Sequence, residues 1–299
     1  MATQDMGSEL RSDPLPLSNT VGRQQGRPRG VLALDMDGTL LRSDGTVSPR
    51  NRAAVARCIE AGIAVVLATG RAFVSASQYF TYWPGCPLWV IACNGAVIRQ
   101  AGSGRPLRER LVPLPVAREL ARWAARRQLY LKAYVDDHLI VSRVTEETAS
   151  FARFHGIPYT QADDLAAVLP KGPTHMVVVD EPERVPALRA EAHNLWRDRL
   201  EITSSTHDDI LFCAPGVTKG TALQALARRF GVGAEKVAAI GNERNDLSMI
   251  TWAGFGGAVG NAPADVREAA SVVVGHHDAD GVAEFIELWM EFLEREERA

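Results

Sequence analysis

The feature that most constrains the fold is a series of short, nearly continuous apolar runs, most of them separated by helical patterns. The runs are VLALD (31–35), IAVVLATGR (63–71), PLWVIACNG (87–95), VAAIGN (237–242) and ASVVVG (270–275). Residues 48–62 predict a helix that has Ser48 as its N-cap and stops at Gly62, and residues 218–231 predict another. Strands that are apolar on both faces and alternate with helices predict an α/β fold with a Rossmann-like parallel sheet as its core.

The middle of the chain has a different pattern. Residues 113–143 predict an amphipathic helix and two strands that pair around Asp136-Asp137, and residues 174–206 predict a strand, a helix and a strand. An α+β unit between the third and fourth core strands is an insertion, with hinges expected near 112–115 and 204–208. The predicted boundaries are 29–112 and 206–299 for the split core and 113–205 for the inserted domain.

Composition and charge exclude several classes of protein. The chain has 299 residues and a formal net charge of -3, so it lacks the basic field that nucleic acid or an anionic membrane attracts. Residues 1–28 are rich in Ser, Gly, Pro, Gln and Arg without an apolar signal segment, which predicts a disordered tail. The four cysteines lack the spacing of a disulfide frame or a zinc site. We therefore expect a cytoplasmic protein without nucleic-acid or membrane partners, and the sequence does not specify its oligomeric state.

Polar residues follow the predicted core strands at the points where the strands end. Asp35 and Asp37 follow the first strand, Thr69-Gly70 ends the second, and GNERND (241–246) follows the fourth. Because the carboxyl ends of parallel strands meet at one edge of a sheet, these residues are expected to converge there with Lys219. Carboxylates, a hydroxyl, an ammonium and carboxamides form a set suited to phosphoryl transfer through an aspartyl phosphate.

The same segments resemble the haloacid dehalogenase superfamily. DMDGTLL, LATGR, the lysine of TKG and GNERNDLSMI are similar to its motifs one to four. LLRSDGTVSPR, CNGAVI, GVTKGTALQAL and GNAPADVREAA resemble its Cof-type sugar-phosphate phosphatases, in which a large cap domain is inserted at the place of the unit described above. The resemblance covers about residues 30–290 in order.

The resemblance implies a role for each motif residue. Asp35 would be the nucleophile, Asp37 the general acid and base, and Lys219 the cation that neutralises the transferring group. The implied phosphate-binding residues are Met36, Thr69, Gly70, Lys219 and Asn245. The implied Mg²⁺ ligands are Asp35, Asp37 (through its backbone carbonyl), Asn242 and Asp246. The cap would close over the site and select the substrate.

One position departs from the family pattern, because Asn242 stands where the family has Asp. An amide oxygen binds Mg²⁺ without contributing negative charge, so we expect weaker metal binding, with Asp246 compensating directly or through water. The expected function is Mg²⁺-dependent hydrolysis of small phosphorylated metabolites such as sugar phosphates. Two alternatives stay open: a phosphomutase of the phosphomannomutase type, and a weakly active metabolite-binding protein.

Several other polar residues have simpler interpretations. His276-His277-Asp278 resembles a metal cluster, but a solvated loop before the last helix is the preferred interpretation. Arg71 is equally compatible with substrate orientation and with bracing of its loop. Trp123 and Trp196 fit the apolar stripes of helices in the inserted domain.

Overall fold

The structure is a computed structural model that describes residues 27–298, so the predicted tail over 1–28 lies almost entirely outside the described residues. The strands are β1 (Val31–Asp35), β2 (Ala64–Ala68), β3 (Trp89–Ala92), β4 (Val97–Gln100), β5 (Arg108–Glu109), β6 (Tyr130–Val135), β7 (His138–Val141), β8 (Tyr159–Gln161), β9 (His175–Val179), β10 (Glu201–Thr203), β11 (Asp209–Cys213), β12 (Val237–Gly241), β13 (Phe255–Val259) and β14 (Val272–Val274). The helices are α1 (Pro49–Glu60), α2 (Phe73–Ser77), α3 (Leu114–Arg126), α4 (Glu146–His155), α5 (Leu165–Val168), α6 (Val185–Trp196), α7 (Lys219–Phe230), α8 (Leu247–Ile250), α9 (Ala264–Ala269) and α10 (Gly281–Arg298).

The first sheet has the strand order β14-β13-β12-β1-β2-β3-β4-β5. Strands β14 to β3 are parallel to their neighbours, and β4 and β5 continue the sheet in antiparallel orientation. Strand β1 is central and fully buried, because helices cover both faces of the sheet. Helices α1 and α10 pack on one face and α7, α8 and α9 on the other. The predicted Rossmann-like α/β core is confirmed.

Three strands of the first sheet were not predicted from the sequence: the edge strands β4 and β5 and the parallel strand β13. The absence of β13 from the prediction has a physical reason. Strand β13 has the sequence FGGAV, and glycine is depleted in strands. A Cβ on Gly257 would lie 2.3 Å from the ring of Phe285, and a Cβ on Gly256 would lie 2.1 Å from the backbone oxygen of Ile250. The two glycines are therefore needed for close helix packing, which outweighs their low strand propensity.

The second sheet has the order β10-β11-β9-β6-β7-β8 and lies in the inserted part of the chain. All its pairs are antiparallel except β7 with β8. One face packs against α3, α5 and α6 in an apolar cluster that includes Trp123 and Trp196, whose rings meet edge to face at 5.4 Å. The other face is turned toward the first sheet. None of the helices between residues 27 and 298 is long and apolar enough to cross a membrane.

The predicted end of the inserted domain at residue 205 is corrected by the sheet topology. Strand β11 pairs with β9 and β10, so the chain is still in the second sheet at Cys213. The stretch predicted as the second hinge, 204–208, is instead the turn between β10 and β11. Asp209 stabilises this turn, because its carboxylate accepts hydrogen bonds from the backbone nitrogen and the hydroxyl of Ser205 at 2.9 and 2.5 Å. The return crossing therefore follows Cys213, just before the N-cap of α7.

Candidate active site

Four strand ends of the first sheet bring polar side chains to one edge. Asp35 ends β1, Thr69 follows β2, Asn94 follows β3, and Asn242 follows β12. These strands are parallel neighbours, so their carboxyl ends lie side by side. The predicted convergence is therefore present, and Asn94, which lies in the CNGAVI stretch, is an additional member that was not among the predicted site residues.

A buried ion cluster lies at the centre of this edge. The Lys219 ammonium is 2.7 Å from Asp35 Oδ1 and 2.6 Å from Asp246 Oδ1, and Lys219 is only 1% exposed. A capping box between Thr218 and Thr221 starts α7 and thereby places Lys219 in its first turn. Because one cation faces two buried anions, the cluster has excess negative charge that a further cation, or a proton on Asp35, would balance.

The pKa values in the cluster reflect this imbalance. Burial, and next the nearby carboxylate of Asp246, raise the pKa of Asp35 to about 7 even though Lys219 acts in the opposite direction. Burial lowers the pKa of Lys219, but the carboxylates of Asp246 and Asp35 raise it by more, so the net change is upward. Lys219 is thus held in its charged form, while Asp35 needs further positive charge to be fully ionised at neutral pH.

Asp246 is hydrogen-bonded through both of its carboxylate oxygens. Its Oδ1 contacts Lys219, and its Oδ2 accepts hydrogen bonds from the backbone nitrogens of Asn242 and Glu243 at 2.9 and 3.0 Å. The residue is 0% exposed, and both of its carboxylate oxygens are already engaged. The expectation that Asp246 would bind the metal directly is therefore not supported by its contacts. Its contacts fit a residue that fixes Lys219 and the turn after β12.

Asn242 lies at the position expected for a metal ligand. Its amide satisfies its surroundings when the nitrogen faces Asp35 Oδ2 at 3.0 Å, the Asp37 backbone oxygen at 3.1 Å and Thr39 Oγ1 at 3.2 Å. Gly38 turns the chain there with φ +70°, and a Cβ on it would clash with the Asn242 side chain. A carboxylate oxygen and a backbone oxygen thus converge on one point beside an amide, and rotation of that amide would present a third oxygen. This donor set fits a hard cation such as Mg²⁺.

Asp37 is paired with Arg71, which resolves the open question about Arg71. The guanidinium donates to Asp37 through Nε at 2.8 Å and Nη2 at 2.5 Å, and its Nη1 donates to the Tyr79 hydroxyl at 3.1 Å. The Arg71 side chain is 6% exposed, whereas that of Asp37 is 58% exposed and faces the cavity. Arg71 therefore braces Asp37 through a bidentate pair.

Polar groups suited to phosphate surround Asp35. The Thr69 hydroxyl accepts a hydrogen bond from the Arg71 backbone nitrogen at 3.1 Å, which leaves its own proton free to be donated. Asn245 donates to Asn94 Oδ1 at 2.9 Å, and Asn94 Nδ2 is a buried donor without a partner among the described residues. Gly70 lines the same space, and Met36 follows Asp35 with its side chain in the core.

A cavity of about 380 Å³ lies between the two sheets. Asp35, Asp37 and Lys219 line it on the core side. The second sheet contributes residues of β6, β9 and β11, and α4 contributes Phe151 and His155. His155 Nδ1 lies 2.7 Å from the hydroxyl of Ser75, so α4 contacts the core beside the site. The inserted domain therefore covers the candidate active site, as expected for a cap.

The cap side of the cavity holds two neutral histidines and one lysine. Burial lowers the pKa of His175 to about 3. Burial, and next the positive charge of Arg71, lower the pKa of His155 to about 4. Lys132 projects from β6 on the same face as Tyr134, and it was not among the predicted site residues. The available signal was a single lysine at a cavity-facing position of the otherwise apolar strand YLKAYV.

The predicted histidine loop has a bracing role in the structure. His276, His277 and Asp278 lie close together. His277 Nδ1 is 2.8 Å from the Leu41 backbone oxygen, and Asp278 accepts hydrogen bonds from the backbone nitrogen and hydroxyl of Ser43. These contacts fix the segment that follows the Asp35 turn, which accounts for the cluster without a metal.

The chain is similar to one family of hydrolases over nearly the whole described length. A profile of the haloacid dehalogenase-like hydrolases (Hydrolase_3) matches residues 32–286. The phosphatase YwtE of Bacillus subtilis, named for 5-amino-6-(5-phospho-D-ribitylamino)uracil, is 30% identical over 281 residues, with 86% of this chain and 96% of that protein covered. Pyridoxal phosphate phosphatase YbhA of Escherichia coli is 29% identical, with 86% and 97% covered.

Solved structures agree with these sequence matches. A haloacid dehalogenase-like hydrolase from Bacteroides thetaiotaomicron has a TM-score of 0.77 and 27% identity, with 87% of this chain and 99% of that protein covered. The structure of TM0651 from Thermotoga maritima has a TM-score of 0.74 and 28% identity, with 86% and 96% covered.

Proposed function

The chain belongs to the haloacid dehalogenase-like hydrolases, and from this premise we propose that it is a Mg²⁺-dependent phosphatase that acts on small phosphorylated metabolites through an aspartyl phosphate. The observation that carries the proposal is the position of Asp35. It is a buried carboxylate held by Lys219 at 2.7 Å, and it faces the Asn242 amide at 3.0 Å across the point where a cation fits. A carboxylate held in this way is a nucleophile with a fixed direction of attack.

In the first step, the Asp35 carboxylate attacks phosphorus and the bond from phosphorus to the leaving oxygen breaks. Lys219 neutralises charge on Asp35 and on the transferring group. Thr69, Asn94 and Asn245 are positioned around Asp35 to donate to phosphoryl oxygens. The Asp37 carboxyl, exposed toward the cavity, gives its proton to the leaving alkoxide.

In the second step, water attacks the acyl phosphate, releases inorganic phosphate and restores the Asp35 carboxylate. Asp37 now accepts the proton of that water, which returns it to its starting state. Arg71 holds the Asp37 side chain in position through its bidentate pair, as a carboxyl group at the start of the first step and as a carboxylate at the start of the second.

The metal would be held by Asp35 Oδ2, the Asp37 backbone oxygen and the amide oxygen of Asn242. When bound, Mg²⁺ would supply positive charge between the Asp35 carboxylate and the substrate phosphate, two anions that otherwise repel. The pKa of about 7 for Asp35 supports this assignment, because the nucleophile must be ionised at neutral pH.

The relatives indicate the class of substrate. YwtE is named for a phosphorylated ribitylamino-uracil, YbhA for pyridoxal phosphate, and a further relative from Serratia proteamaculans (25% identical) is an HMP-PP phosphatase. Sugar phosphates and cofactor-related phosphate esters of this size are therefore the substrates to test first. The cavity of about 380 Å³ can hold molecules of this size.

The test is release of inorganic phosphate from p-nitrophenyl phosphate and from a panel of sugar, nucleotide and cofactor phosphates. We expect multiple turnovers that require Mg²⁺ and are removed by EDTA. Asp35→Asn should lose turnover and keep the thermal stability of the natural chain, since the amide has nearly the shape of the carboxylate and is a poor nucleophile. Asp180→Asn, a substitution in the cap outside the cavity lining, is the matched control and should retain full activity.

Two outcomes would replace the proposal. Strict dependence on a sugar bisphosphate would indicate the phosphomutase. Binding of metabolites without any turnover, at Mg²⁺ and Mn²⁺ concentrations up to the millimolar range, would indicate the binding protein.

A further inference from the structure

Lys132 is a buried lysine that the steps above do not use. It is 8% exposed and lies on β6, the strand at the centre of the cap sheet. Its ammonium lies 5.2 Å from the centre of the Tyr130 ring and 5.0 Å from that of Phe151. The Tyr130 hydroxyl is itself hydrogen-bonded to Thr148, so this ring has a fixed position.

No residue between 27 and 298 forms a hydrogen bond or an ion pair with Lys132. The carboxylates that act on it through space are those of Glu147, Asp208 and Asp209. Asp209 is engaged by Ser205, and Asp208 Oδ1 accepts a hydrogen bond from the Thr206 hydroxyl at 2.5 Å. Glu147 is exposed on α4 at the cavity and makes no ion pair with Lys132. A buried ammonium with two aromatic rings and no anion in contact is incompletely stabilised, since cation–π contacts replace only part of its hydration.

The cavity connects Lys132 with the reacting groups, because Lys132 lines the same space as Asp35, Asp37 and Lys219. It lies on the opposite, cap side of that space. A substrate whose phosphate lies at Asp35 therefore extends its leaving group toward Lys132.

We propose that Lys132 is a specificity-determining residue that binds a second anionic group, a carboxylate or a second phosphate, on the leaving group of the substrate. The proposal rests on the proposed function and deepens it. A neutral hydroxyl cannot form an ion pair with the ammonium, whereas an anion in the cavity makes the direct contact that Glu147, Asp208 and Asp209 do not make. The surrounding aromatic and aliphatic residues, among them Phe151, Val177 and Leu211, pack against the body of such a substrate.

The experiment uses pairs of phosphate esters that differ in the second anion. The pairs are glycerol 3-phosphate with 3-phosphoglycerate, phenyl phosphate with 4-carboxyphenyl phosphate, and glucose 6-phosphate with glucose 1,6-bisphosphate. For at least one pair we expect kcat/KM of the natural chain to be about 10- to 100-fold higher for the member with the second anion, the range of one charge-assisted hydrogen bond.

Lys132→Met should reduce this ratio to near 1, mainly through KM of the anionic member, and Lys132→Arg should retain part of it. Lys171→Met is the matched control. Lys171 is also in the cap, but it is partly exposed, paired with Asp136 and outside the cavity, so its replacement should leave the ratio and the turnover of p-nitrophenyl phosphate unchanged. A ratio near 1 for all three pairs in the natural chain, or a high ratio that survives Lys132→Met, would overturn the inference.

Binding measurements separate this inference from the proposed function. Calorimetric titration of the Asp35→Asn variant with the same pairs of esters measures the binding preference for the second anion in the absence of turnover. Lys132-dependent preference in binding, together with a natural chain that hydrolyses none of the esters, would refute the proposed function alone. Turnover of p-nitrophenyl phosphate without any preference in rate or binding would refute the inference alone. If Lys132 had only a structural role, Lys132→Met would lower the melting temperature and leave the ratio unchanged.

Discussion

Two buried lysines face the same cavity, one from the core and one from the cap, and their surroundings are opposite. Lys219 contacts two carboxylates at 2.6 and 2.7 Å, and their charges outweigh burial and raise its pKa. Lys132 contacts two aromatic rings and no carboxylate between residues 27 and 298, and burial lowers its pKa. The chain itself therefore completes the charge balance of the first lysine and leaves that of the second incomplete.

The difference assigns the two lysines to different parts of the reaction. A lysine that the protein already pairs acts on the part that all substrates share, which is the phosphate. A lysine with no carboxylate in direct contact is proposed to respond to what varies between substrates, which is the leaving group. The contacts of these two side chains are the basis for the proposal that the core carries the fixed chemistry and the cap selects the substrate.

The largest expected contrast is between Lys219→Met and Lys132→Met. The first leaves Asp35 and Asp246 buried without a cation, so it should lower the free energy of unfolding by about 3–5 kcal/mol and turnover by at least about 10²–10³-fold. The second removes a desolvated charge, so the free energy of unfolding should change by less than about 1 kcal/mol or increase. Urea unfolding and p-nitrophenyl phosphate kinetics measure both. Equal loss of stability in Lys219→Met and Lys132→Met would contradict the stated difference between the two lysines.

A smaller effect is expected at Asn242, the point where the core departs from its family. Asn242→Asp places a carboxylate where an amide now faces Asp35 Oδ2 and the Asp37 backbone oxygen. We expect the variant to melt at a lower temperature in EDTA, because the amide donor is lost and like charges meet. Mg²⁺ should restore the stability of the variant. It should also saturate the activity of the variant at a lower concentration than that of the natural chain, which corresponds to about 1–3 kcal/mol of tighter metal binding. Natural and variant chains with identical metal titrations and melting temperatures would show that this position does not tune the metal.

The smallest effect concerns the neutral histidines of the cap. The pKa of His175 is about 3 in the folded chain and 6.5 when unperturbed, so between about pH 3 and pH 6.5 the unfolded state binds this proton and the folded state does not. Stability should therefore fall as pH falls from 6.5, and between pH 7 and 5 this one group should contribute a loss of about 2 kcal/mol. In His175→Gln the loss over that interval should be smaller by this amount, as chemical denaturation at the two pH values can measure. If the free energy of unfolding had the same pH dependence in the natural chain and in His175→Gln, groups other than His175 would be responsible for the acid sensitivity.

The sequence predicted the core side of the site better than the cap side, for physical reasons. Asp35, Thr69 and Asn242 lie at strand ends, and Lys219 lies in a motif that begins a helix, so their convergence was predictable. The role of Asp246 was not, because two backbone hydrogen bonds and one ion pair decide it.

The cap was harder to predict because its pattern is ambiguous at two places. SSTHDD after β10 was interpreted as a crossing between domains, but it is a turn that Asp209 stabilises within the cap sheet. Lys132 lies in a strand whose successive side chains point to opposite faces of the sheet. This geometry alone does not show whether a given face points toward a cavity or toward solvent. Only the packing of the two sheets against each other makes its burial visible.

The covalent intermediate on Asp35 is the central claim, and rapid acid quenching tests it most directly. Phenyl phosphate labelled with ³²P is mixed with the Asp37→Asn variant and Mg²⁺, quenched within milliseconds to seconds, and the protein is cleaved and mapped. We expect label on the peptide that contains Asp35, because loss of the base slows hydrolysis of the acyl phosphate, and no label when Asp35→Asn is added to the same variant. Label on any other residue, or normal turnover by the Asp35→Asn chain, would contradict the account.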